Sequence, residues 1–206
     1  MAFIFVDIDT QHDFMDKSGA LYVPGADDIV PAIERLYALA ASKRIPIIAT
    51  IDCHTEDDPE FAEYGFPPHC VRGTHGWRKI SATLKKDSVV IPREGGTLDR
   101  LPAQVVIEKI AFSIFTNPHA EAVVLNTVPG LAGIEPAEAE YVVFGVATDY
   151  CVKAAAIGLA ERGARVSVVV DAIAAVAVES GEEAWRLMEC AGVKPVTLAE
   201  VERMAG

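Results

Sequence analysis

Only four cysteines occur in 206 residues, at Cys53, Cys70, Cys151 and Cys190, and no two form a Cys-x-x-Cys pair. That usage indicates neither a disulfide framework nor a structural zinc site. No glycine-rich dinucleotide or Walker sequence follows a strand-like run, and no Gly-x-Ser-x-Gly elbow occurs. A phosphate cradle and a serine nucleophile therefore lack their usual signals. Basic residues are scarce, with 18 Lys and Arg against 30 Asp and Glu and a formal net charge of -12. Phosphate backbones need clustered cations, so no nucleic-acid partner is expected. No apolar run reaches membrane-spanning length, and no membrane partner is expected. The opening run from Met1 to Val6 carries no basic residue and meets acids at once, which reads as a first strand and not a signal peptide. A reducing cytoplasm is the default location.

What the chain has is apolar mass: 51% of its residues are hydrophobic, enough for one domain over residues 1–206 with a sizeable core. Runs rich in Val and Ile at Phe3–Ile8, Ile45–Ile51, Val89–Ile91, Gln104–Ile107, Tyr141–Val146 and Val166–Val170 read as six strands. Between them, Asp27–Lys43, Cys151–Arg162 and Gly181–Ala191 show helical spacing, the last two closed by Gly163 and Gly192. Apolar strands alternating with helices predict an α/β fold, a mostly parallel sheet covered on both faces. Ligands in such folds bind beyond the carboxyl ends of the strands. Asp9, then Asp52 and His54, then Lys109, then Cys151 each follow a predicted strand, so four strands deliver reactive groups to one edge.

Cys151 stands where a strand-like run passes into an alanine-rich helix. A helix N-terminus favours the thiolate, the form that attacks carbonyl carbon; the plainer reading is a small buried hydrophobe. Asp9 and Lys109 suit a base for that thiol and a cation beside it, or else a structural ion pair. Asp52 and His54, two apart on an extended segment, face the same way, and with His69 they offer an N/O donor set for zinc, iron or manganese. The alternative is an aspartate orienting a neutral histidine. His75 and His119 read as surface residues and His12 as a loop residue. Thr55–Lys79 is the longest irregular stretch, which in a small domain is usually functional, although most of its acids read as solvated surface.

Together these residues resemble the isochorismatase-like cysteine hydrolases, most closely their nicotinamidase branch. The resemblance rests on Asp9-Thr10-Gln11-His12-Asp13-Phe14, Asp52-Cys53-His54, Pro67-Pro68-His69-Cys70-Val71-Arg72-Gly73-Thr74, Lys109 and Gly145-Val146-Ala147-Thr148-Asp149-Tyr150-Cys151-Val152, in family order. It implies a three-layer α/β/α Rossmann-like fold and Asp9, Lys109 and Cys151 as catalytic residues, with Asp9 and not Asp7 as the acid/base. It also implies a cis peptide between Val146 and Ala147, and an oxyanion hole from the Ala147 and Cys151 amides. Phe14 and Phe66 would stack on a flat ring beside Val146 and Ala147. Asp52, His54 and His69 would hold a divalent metal, zinc before iron or manganese. Many members carry a further histidine where this chain offers only acids, so Glu60 or Glu63 becomes the candidate fourth ligand. The implied partner is a small aromatic amide, with a homo-oligomer as a further candidate. Two rivals stand beside this reading: a metal-free sibling acting on another small amide, carbamoyl or ureido compound, and a non-catalytic binding module on the same fold.

Overall fold

β1 (Ala2–Ile8) is a continuous apolar run broken only by Asp7, and such a strand persists only with both faces covered. The computed structural model describes residues 2–206. In it β1 lies at the centre of a parallel sheet ordered β3-β4-β2-β1-β5-β6-β7. The other strands are β2 (Ile47–Asp52), β3 (Ser88–Ile91), β4 (Gln104–Lys109), β5 (Ala139–Val146), β6 (Arg165–Ala174) and β7 (Lys194–Val196). The helices are α1 (His12–Met15), α2 (Val30–Lys43), α3 (Pro59–Tyr64), α4 (Ala120–Ala122), α5 (Val128–Leu131), α6 (Lys153–Glu161), α7 (Val178–Cys190) and α8 (Leu198–Ala205).

The period of two along each strand divides the core into two layers. Ile4, Val6 and Ile8 of β1 join Tyr141 and Val143 of β5 against Ala155, Ala156 and Leu159 of α6 and Met188 of α7. Phe3 and Phe5 join Val142, Phe144 and Val146 against Ile33, Leu36 and Tyr37 of α2 and Leu198 and Val201 of α8. The expected three-layer arrangement is therefore present, with a correction: the sheet has seven strands, not six. β7 escapes sequence patterning because it is three residues long with Pro195 in the middle, a residue tolerated at a sheet edge. α8 follows at once, opened by a capping box in which Thr197 and Glu200 satisfy each other's backbone amides. The stretch read as irregular also holds α3, started by the Asp58 carboxylate accepting the Glu60 N–H at 3.0 Å.

One glycine shapes the edge where the reactive groups gather. Gly145 has φ +113, and a Cβ there would lie 2.1 Å from the Ile8 carbonyl oxygen. Only glycine lets β5 run this close to β1 just before Cys151. Among the described residues no helix is long and apolar enough to cross a membrane.

Candidate active site

Asp9 leaves β1 in the left-handed region, at φ 48, a conformation a non-glycine residue holds only when its surroundings impose it. Thr50 of β2 imposes it: the Asp9 N–H donates to Thr50 Oγ1 at 3.2 Å, and the Thr50 hydroxyl donates to Asp9 Oδ1 at 2.6 Å. The second oxygen, Oδ2, is buried with no hydrogen-bond partner of good geometry, although the Lys109 ammonium lies 2.8 Å away as an ion pair. Lys109 closes β4 and also contacts Asp52 Oδ1, and it donates to Cys151 Sγ at 3.4 Å. Burial alone would push Lys109 down, but Asp52 and Asp9 hold its ammonium well above the usual lysine range. One carboxylate oxygen each from Asp9 and Asp52 and the Cys151 sulfur lie within 4.8 Å of one another.

Cys151 sits inside a single π-type turn, Thr148–Val152, that precedes α6, where the Ala147 carbonyl accepts the Tyr150 and Val152 amides, each at 3.1 Å. The Val146–Ala147 peptide is cis, as the resemblance implied. Burial pushes the Cys151 thiol well up; Lys109 draws it back down, while Asp9 and Asp52 push the same way as burial.

Asp52, His54 and His69 are all buried and place one donor atom each within 4.8 Å of the other two. His54 Nδ1 lies 3.0 Å from the Asp58 carboxylate, and its buried Nε2 has no partner. His69 Nδ1 lies 3.0 Å from the Pro67 carbonyl, which only accepts, so Nδ1 carries the proton and Nε2 keeps its lone pair. Burial pulls His69 down to about 4, so the ring is neutral at ordinary pH. The orphaned His54 Nε2 and the His69 Nε2 lone pair beside a carboxylate, each ring oriented through its other nitrogen, fit a divalent ion. Glu60 is buried on α3 and lines the same cavity, and burial, with Asp52 adding, pushes it up to about 7. It lies outside the tight three-residue group. Glu63 is exposed on α3 and does not line the site, which removes it as a fourth donor.

Asp52, Glu60, His69 and Cys151 line an apolar cavity together with Phe14, Phe66, Val146 and Ala147, and with Phe112 and Tyr150. His75 is exposed and His119 half-buried; His12 opens α1 instead of lying in a loop. Three supporting residues carried no role in the sequence reading. Gln11 clamps the end of β2, accepting the Asp52 N–H at 2.7 Å and donating to the Asp52 carbonyl at 2.9 Å. Asp13 accepts the Cys70 N–H at 2.7 Å, next to His69. Asp149, buried two residues before Cys151, accepts from the Val176 N–H at 3.0 Å, the Ala177 N–H at 3.3 Å and the Ser180 hydroxyl at 2.5 Å. Its replacement by alanine leaves those donors unpaired, and urea unfolding should register a loss of about 1–3 kcal/mol; an unchanged midpoint would show that the clamp carries no stability.

The likeness to known proteins agrees with this geometry. The chain is 30% identical over 197 residues to the nicotinamidase/pyrazinamidase of Mycobacterium tuberculosis, with 92% of this chain and 95% of that protein covered. It is 29% identical to the nicotinamidase of Escherichia coli, covering 97% and 96%. The crystal structure of the Pyrococcus horikoshii pyrazinamidase in complex with zinc superimposes with a TM-score of 0.75 at 28% identity, covering 96% of this chain and 99% of that one. The isochorismatase domain model matches residues 2–200. With its reactive groups gathered at the ends of β1, β2, β4 and β5 and nearly its whole length matched, the chain belongs to the isochorismatase family.

Proposed function

We propose that the protein hydrolyses the carboxamide of nicotinamide, giving nicotinate and ammonia, with Cys151 as the attacking thiol. The observation that carries this reading is the buried Asp9 Oδ2, an acceptor without a hydrogen-bond partner of good geometry, in a carboxylate gathered with the Cys151 sulfur and the Lys109 ammonium. The choice of substrate leans on the relatives that are named nicotinamidases and on the narrow apolar cavity. Asp9 takes the proton from Sγ as the sulfur bonds to the carboxamide carbon, and the Lys109 ammonium, 3.4 Å from Sγ, offsets the negative charge as it leaves the carboxylate for the sulfur. The backbone N–H groups of Ala147 and Cys151 receive the developing oxyanion. Asp9 returns the proton to the departing ammonia, then takes one from the water that cleaves the thioester. Phe14 and Phe66 hold the ring flat and exclude water, which keeps the carbonyl carbon over the sulfur.

Asp52, His54 and His69 would hold a divalent ion, with Glu60 as the candidate fourth donor. A zinc ion there, or iron or manganese, supplies a Lewis-acidic anchor for the pyridine nitrogen. Ammonia release from nicotinamide by purified protein tests both levels. Release is expected with zinc, iron or manganese supplied, and chelation should abolish it reversibly. No release with any of the three ions would overturn the substrate. Full release after chelation would overturn only the metal and leave nicotinamide as the substrate.

A further inference from the structure

We propose that His12, Asp16 and His75 form a second site for a first-row divalent transition-metal ion, separate from Asp52, His54 and His69. One donor atom of each lies within 4.8 Å of the other two. His12 Nδ1 is 2.7 Å from Asp16 Oδ2, and the His12 and His75 rings stack with centroids 4.1 Å apart and planes 25° apart. Two imidazoles and a carboxylate are the donor types that zinc, cobalt, nickel and copper share.

The backbones that carry the two histidines are already held together. Gln11 and Lys79 form an antiparallel bridge, the His12 N–H donates to the Arg78 carbonyl at 2.9 Å, and the Asp13 N–H donates to the Gly76 carbonyl at 3.1 Å. Gly76 makes this approach feasible, because a Cβ there would lie 2.0 Å from the Asp13 carboxylate. Ion capture therefore orders side chains only, which keeps its entropic cost low. His75 is exposed, so rotating its ring turns a nitrogen toward the point shared with His12 and Asp16. Three protein ligands at a partly exposed position leave the remaining coordination to water.

The site would brace, not react. Asp13, next to His12, holds the Cys70 amide beside His69. An ion joining α1 to His75 would tie both ends of the segment between His69 and Gly76.

Zinc uptake by metal-free protein, dialysed against buffered Zn²⁺ and measured as metal per chain, decides the matter. Cys190→Ser is the parent, since the exposed Cys190 thiol is a competing zinc donor. His75→Ala and His12→Ala should each lose one zinc per chain, in the parent and in a His69→Ala background alike. The second background makes the outcome independent of the Asp52 site and of the proposed reaction. In that background zinc should raise Tm by about 2–4 °C, and His75→Ala should cancel the rise. Equal zinc uptake with and without His75 in both backgrounds, or a zinc-induced rise that survives His75→Ala, would overturn the proposal.

Discussion

Cys151→Ala is expected to lower kcat for nicotinamide hydrolysis by about 10⁴-fold or more, the scale seen when a covalent nucleophile is deleted from a machine that otherwise stays assembled. The size follows from the division of labour. In the proposed reaction Asp9, Lys109 and the amides of Ala147 and Cys151 all act on an attack that needs the sulfur, so their contributions vanish with it. The fold should survive: alanine keeps the Cβ, and the turn from Thr148 to Val152 is held by the Ala147 carbonyl and the Asp149 clamp, neither of which uses the thiol. Ammonia release, with circular dichroism as a check on folding, measures both. A folded variant within about tenfold of wild type would remove Cys151 from the chemistry.

Lys109→Met should cost about as much in stability as any substitution in the chain, about 3–5 kcal/mol in metal-free protein at neutral pH. Methionine keeps most of the stem but removes the cation, leaving Asp9 and Asp52 together in a site sealed from water. Burial already lifts Asp52 to about 6 against the pull of Lys109. Without that pull its folded pKa rises further, and the pair escapes part of the penalty by holding a proton. The folded variant then binds more protons than the unfolded chain, so its stability falls as pH rises from about 4 through the raised folded pKa, and the part of that slope absent from the wild type lies above about 6. Urea unfolding at several pH values tests this. A variant as stable as wild type, with no extra slope on the alkaline side, would mean that the carboxylates are not left uncompensated.

Much of this site was legible in the chain, for a physical reason. Asp9, Asp52, Lys109 and Cys151 each end or follow an apolar strand, and a parallel sheet sends all such ends to one edge. Composition and turn chemistry therefore located them without any contact being known. Side-chain partners distant in sequence were not legible. Asp149 reads as one acid among 30, yet its partners lie on a loop and helix 27 to 31 residues further on. Asp7 and Lys79 form a second buried ion pair at 3.0 Å, supported by Tyr37 and Thr10, that no local pattern announces. The upward push of burial on the Cys151 thiol is not legible locally, because a helix N-terminus is a local feature, whereas desolvation is the sum of everything packed around the sulfur. β7 was missed because Pro195 argues against a central strand and says little about an edge.

The most direct test is acid quenching in the first turnovers with nicotinamide, followed by mass analysis of the peptide that carries Cys151. The account predicts a nicotinoyl thioester on Cys151 that forms before steady state and is absent in Cys151→Ala. Steady ammonia release with no acyl group on that peptide, and undiminished release by Cys151→Ala, would contradict it.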